Sequence, residues 1–142
     1  MYPAGHMSMI NQYMKNTPEQ MEIIQQNGKM LWDAGLPVLD DLHAVSYGFT
    51  YPKDKTLSDA ELQKLATAQY KQTIDMLKPG LTMVIMHCTA PSEVFPYITD
   101  SDRLRKADLL AMLDPDFKKY LESQKIILTT WRELKQRRAV TK

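Results

Sequence analysis

Two places in the chain carry side chains whose type and spacing could do chemistry. One is His87, at the end of the apolar run Leu81-Thr82-Met83-Val84-Ile85-Met86. An imidazole at a strand tip can serve as acid, base or metal ligand near neutral pH. A buried histidine bonded to a neighbouring loop fits the same position equally well. The other is Asp40-Asp41-Leu42-His43, which ends the run Leu36-Pro37-Val38-Leu39. Two carboxylates and an imidazole could bind a divalent cation or orient a water, or could cap a helix or loop with exposed charges. Alternation along an extended chain puts Asp41 and His43 on one side and Asp40 on the other.

The sequence has 3 histidines, so a histidine-rich zinc site would need His6, His43 and His87 to converge, which their spacing does not demand. No metal ligand is therefore assigned within the chain. Cys88 follows His87, yet adjacent strand residues point to opposite faces, a poor arrangement for proton transfer to a thiol nucleophile. The sequence contains no glycine-rich phosphate loop and no nucleophile elbow. Tyr47, Phe49 and Tyr51 follow the acidic pair; such aromatics can stack on sugar rings or pack beneath a long loop.

The elements that must position these residues have clear start signals. Thr17-Pro18-Glu19-Gln20 combines an N-cap threonine, a proline at the first helical position and a glutamine in the capping-box place. Met21, Ile24, Gly28, Leu31 and Trp32 then share a face, and Gly35 can end the helix. Ser58-Asp59-Ala60-Glu61 opens a second helix, with Leu62, Leu65, Ala66, Tyr70, Thr73, Ile74 and Leu77 in one stripe before Pro79-Gly80. Asp114-Pro115 predicts a short helix with Phe117, Tyr120 and Leu121 inward. Thr130-Trp131-Arg132-Glu133 starts a basic terminal helix containing Lys135, Arg137 and Arg138, whose charges fit a solvated helix end. The apolar runs 36–39, 81–86 and 126–128 read as strands, and the last two are continuous, as in parallel strands buried on both faces.

Strand alternating with helix is the βαβ order, so the predicted fold class is α/β with a parallel sheet. Residues 1–16 read as an N-terminal arm and 17–142 as one domain. The stretches 44–57 and 88–100 read as long loops that leave strands at the edge where parallel α/β proteins place ligands. Three strands make a thin sheet with apolar edges, as in part of something larger.

Composition narrows the classes. A hydrophobic share of 44% and a charged share of 25% are ordinary globular values. A net charge of +1 gives no electrostatic case for nucleic acid. The single cysteine excludes an intramolecular disulfide and fits a reducing compartment. The 10 methionines are spread through helices and strands, as gap-fillers of a core. No apolar run is long enough to span a membrane, and the N-terminus lacks the layout of a signal peptide. The default expectation is a cytoplasmic protein.

The stretch Leu77-Lys78-Pro79-Gly80-Leu81-Thr82-Met83-Val84-Ile85-Met86-His87 resembles the late part of YdjC-like proteins, a branch of the polysaccharide-deacetylase-like superfamily. That family has a leucine-x-proline-glycine-threonine turn, an apolar strand and a histidine at its tip. The resemblance continues through Arg105-Lys106-Ala107-Asp108-Leu109-Leu110-Ala111-Met112-Leu113-Asp114-Pro115. It closes on Ile126-Ile127-Leu128-Thr129-Thr130-Trp131-Arg132-Glu133-Leu134. It covers the chain well from about residue 77 onward and more weakly over 18–76. Cys88-Thr89 stands where the family usually has proline-glycine, and Asp108 replaces a more usual glutamate.

The resemblance implies the C-terminal part of an incomplete TIM-like (β/α) barrel. The full-length family would hydrolyse N-acetyl groups on amino sugars or other acetylated carbohydrate with a divalent metal, zinc or magnesium. In such an enzyme the metal-binding aspartate, its neighbouring base and the histidine ligands lie in segments before the matched region, so this chain alone is expected to be inactive. His87 would be the late active-site histidine that assists proton transfer or stabilises the tetrahedral intermediate. Asp40, Asp41, His43, Tyr47 and Arg105 become the candidate substrate-binding residues. Asp40-Asp41 mimics the family's opening acidic pair, but too little chain separates it from His87, which places it on a later barrel strand. Two further readings come from other classes. One is a non-catalytic assembly module that forms homo-oligomers through exposed strand edges. The other is a complete small metal hydrolase built on Asp41, His43 and His87.

Overall fold

Helix starts follow the side-chain chemistry closely. The structure, a computed structural model, describes residues 17–44 and 56–140. The first helix, α1, spans Pro18–Asp33. The Thr17 hydroxyl accepts from the Gln20 amide at 3.3 Å, and the Gln20 side chain accepts from the Thr17 amide at 2.9 Å. Each such cap satisfies an otherwise orphaned amide and is worth about 1 kcal/mol. Gly35, at φ +81°, ends the helix in the left-handed region that glycine enters without steric cost.

Helix α2 spans Asp59–Asp75 behind the Ser58–Glu61 box, whose two backbone bonds are 2.8 and 3.3 Å. Helix α3 spans Asp102–Met112 and helix α4 spans Pro115–Ser123. Asp114 caps α4 by accepting from the Asp116 amide at 2.9 Å. Helix α5, Trp131–Val140, opens on the expected Thr130–Glu133 box.

Strand β1 is Asp41–Ala44, and β2 is Thr82–Ile85. They pair in a two-stranded parallel sheet, and the order β1-α2-β2 is a βαβ connection. The fold is therefore mixed α/β with five helices among the described residues.

Three expectations need correction. Residues 36–39 precede the first strand instead of forming it; β1 begins at Asp41, so Asp41 and His43 lie within the strand rather than after it. Pro37 removes a ladder donor from the apolar run, which explains the shift. Ile126-Ile127-Leu128 is not a strand. Ile127 and Leu128 stay 77% and 78% exposed, because apolar composition alone supplies neither a hydrogen-bonding neighbour nor a packing surface. Helix α3 was unanticipated. Its N-cap, Ser101, makes no side-chain cap bond, so the signal that marks the other starts is missing. What holds α3 is tertiary packing of Ala107, Asp108 and Ala111, all buried.

The described residues divide into two compact units. The first comprises 17–43, 78–84 and 127–140. In it the Arg138 guanidinium lies 3.8 Å from the Trp32 ring centroid and donates to the Trp32 carbonyl at 2.7 Å, fastening α5 to α1. Gly80, at φ +147°, brings its backbone against Asp40; a β-carbon there would lie 2.8 Å from Asp40 Oδ2.

The second unit comprises 44, 56–77 and 85–126. Leu62, Ala66, Tyr70 and Thr73 of α2 are buried with Ala107 and Ala111 of α3 and Phe117 of α4. Leu65, expected in the α2 stripe, is exposed, and Thr67 is buried instead. The Tyr70 and Phe117 rings lie 5.9 Å apart in a tilted pair. The Tyr120 hydroxyl bonds the Asp75 carboxylate, and that bond, with some desolvation, pushes the phenol up to about 12.

Candidate functional site: the strand-tip histidine and its anchors

His87 follows β2 by two residues and is held by its backbone on both sides. Its amide donates to Asp108 Oδ2 at 2.8 Å, and its carbonyl accepts from the Thr89 hydroxyl at 3.1 Å. Asp108 is 0% exposed, and its second oxygen accepts from the Tyr70 hydroxyl at 2.8 Å. A buried carboxylate is costly unless its lone pairs are satisfied. Here they are used to join α2, α3 and the end of β2. The result is a strand tip whose position is fixed by a buried aspartate, with the half-buried residue His87 beyond it.

The same loop is tied again at Thr89, whose amide donates to the Arg105 carbonyl at 3.2 Å. Arg105 itself places its guanidinium 5.8 Å from the Phe95 ring centroid and donates from Nε to the Ser101 hydroxyl at 3.0 Å. These are structural contacts of a residue considered for substrate binding. Cys88 is exposed, and its thiol is pushed up by partial desolvation and then by the Asp108 carboxylate. That direction keeps the sulfur protonated and works against a thiolate nucleophile.

Sequence reasoning missed Asp108 as part of the site, although a signal was present. Leu104, Ala107, Asp108 and Ala111 recur at i, i+3, i+4 and i+7, one face of a helix. A carboxylate on that face must find donors, and it finds them in His87 and Tyr70.

In the first unit, Asp41 and His43 do share a side of the extended chain. His43 Nε2 lies 2.9 Å from Asp41 Oδ2, and the residues are 2% and 8% exposed respectively. Burial replaces the solvent-exposed cap that was the alternative. Asp41 Oδ1 accepts from the Leu42 amide at 2.8 Å. Asp40 faces elsewhere: its Oδ2 accepts from the Leu81 amide at 2.6 Å, while its own amide donates to the Leu81 carbonyl at 2.9 Å. These carboxylate oxygens are thus engaged with protein donors. Tyr47 and His6 lie outside the described residues.

Comparison with known proteins finds no matching family model, no matching curated protein and no matching solved structure. No helix among the described residues is long and apolar enough to cross a membrane.

Proposed function

We propose that this chain is the C-terminal portion of a metal-dependent carbohydrate deacetylase of the YdjC-like type, acting on N-acetyl sugars. The metal would be held by residues outside this chain. One observation carries the reading. Two of the stretches that bear the resemblance, the one ending in His87 and the one containing Arg105 and Asp108, meet in the second unit through the Asp108–His87 bond. At that strand tip the His87 imidazole would transfer a proton to the leaving amine. Positioning of that kind contributes to rate because the reacting geometry is established before substrate arrives.

The test is acetate release from N-acetylglucosamine, with zinc or magnesium supplied. The chain alone is expected to release none. The chain extended by the in-frame sequence upstream of Met1 is expected to turn over, to lose activity on chelation, and to lose it with His87→Ala. Turnover by the extended protein that is unaffected by His87→Ala would contradict the role given to this residue.

A second reading is favoured by Ile127 and Leu128, apolar side chains left 77% and 78% exposed outside any helix or strand. Such a surface suits assembly with a second copy of the chain. Light scattering should then show concentration-dependent association that Ile127→Lys and Leu128→Lys abolish; a monodisperse monomer at all concentrations would dismiss it.

A further inference from the structure

Within the second unit, the loop that follows His87 forms one wall of a cleft of about 360 Å³. This falls at the lower end of the range for small-molecule sites, about 300–1,000 Å³. The opposing walls are the starts of α2 and α3. Its chemistry is mixed. Asp59 and Lys106 face it as an ion pair of 2.6 Å, with side chains 61% and 30% exposed. Arg103 and Asp102 add a second cation and a second carboxylate, and Phe95 adds an aromatic surface beside the buried Leu62.

That mixture discriminates among ligand classes. A carboxylate and an ammonium held side by side offer an acceptor and a donor to adjacent hydroxyls, each of which can donate and accept. An inorganic anion would gain from Lys106 and Arg103 but would face Asp59 and Asp102. A purely apolar ligand would strip water from these charged groups without replacing its hydrogen bonds. A sugar ring combines hydroxyls along its edge with a C–H surface able to pack on Phe95.

We propose that this cleft is a sugar subsite, in which Asp59, Lys106 and Arg103 bind ring hydroxyls and Phe95 supports the ring. The inference rests on the deacetylase reading and extends it. Thr89, which lines the cleft, is two residues from His87, so the cleft takes a sugar unit neighbouring the one presented to that histidine.

The experiment is an amide-resolved NMR titration of the full chain with N-acetylglucosamine and, separately, with inorganic phosphate. Saturable shifts at Thr89, Ser92, Phe95 and Arg103 with millimolar affinity are expected from the sugar alone. Arg103→Gln and Lys106→Met should each weaken that affinity at least about fivefold while leaving the far-ultraviolet spectrum unchanged. Sugar affinity equal in wild type and both variants would overturn the proposal, as would phosphate binding the cleft in preference to sugar. Sugar-induced shifts centred on His87 with the cleft amides still would reject the subsite and leave the deacetylase reading standing. Sugar bound in the cleft, with no His87-dependent acetate release from the extended chain, would do the reverse.

Discussion

In the second unit a buried carboxylate joins parts of the chain far apart in sequence, whereas in the first unit a buried carboxylate turns to a histidine two residues along. Asp108 binds donors 21 and 38 residues away, at His87 and Tyr70. Asp41 meets His43 on its own strand. The two arrangements solve the same problem, the cost of burying a charge, with different consequences. A local pair protects its own burial. A long-range node also fixes how α2, α3 and the end of β2 meet, so the orientation of His87 depends on it.

The comparison predicts unequal losses. Asp108→Ala removes the carboxylate that accepts from the Tyr70 hydroxyl and the His87 amide, two bonds worth about 1–3 kcal/mol each when lost, for a total of about 2–6 kcal/mol in urea unfolding. Combining Asp108→Leu with Tyr70→Phe should recover part of that loss, since both partners then become apolar. Asp41→Ala leaves one buried imidazole without its carboxylate and is expected to cost about 1–3 kcal/mol. Equal costs for Asp108→Ala and Asp41→Ala would break the distinction.

A smaller effect sharpens it from the stabilising side. Lys125 follows α4 at φ +57°, the left-handed region, where its amide donates to the Glu122 carbonyl at 3.0 Å. Lys125→Gly removes the steric penalty of a β-carbon there and should stabilise the protein by about 1 kcal/mol, read as a higher urea midpoint. The smallest effect concerns acid. The Thr67 hydroxyl donates to Asp114 Oδ2 at 2.7 Å, and this bond, with the backbone amides of Asp116 and Phe117 and the charge of Lys71, holds the Asp114 carboxyl below its usual range. A carboxyl depressed in the folded state contributes stability that is present above its unfolded value, about 3.9. That contribution is lost as pH falls through the folded value. Thr67→Val should therefore lower stability slightly near neutrality, and the deficit should shrink as pH falls below about 4.

The features legible in the sequence were those fixed by neighbours in the chain. The boxes at Thr17, Ser58 and Thr130 announce α1, α2 and α5 because donor and acceptor are three residues apart. Alternation likewise placed Asp41 and His43 together and Asp40 apart. The start of helix α3 and the missing third strand were illegible for the complementary reason. Helix α3 opens without a side-chain cap bond at Ser101, so no local signal precedes its periodic face, and no strand among the described residues pairs with Ile127-Leu128. The role of Asp108 falls between these cases: its place on an apolar face was readable, but the identity of its donors was set by tertiary contact. His87 was expected to end the strand and instead follows β2 by two residues, while the aspartate that binds its amide lies 21 residues away.

The central claim, that Asp108 fixes the strand tip carrying His87, is tested most directly by hydrogen exchange of the His87 backbone amide. In the wild-type chain this amide should be protected to nearly the level of the α2 core amides. In Asp108→Ala, under conditions where α1 amides keep their wild-type rates, it should exchange orders of magnitude faster. An amide at His87 that already exchanges as fast as an open loop in the wild-type protein, or one whose protection survives Asp108→Ala, would contradict the account.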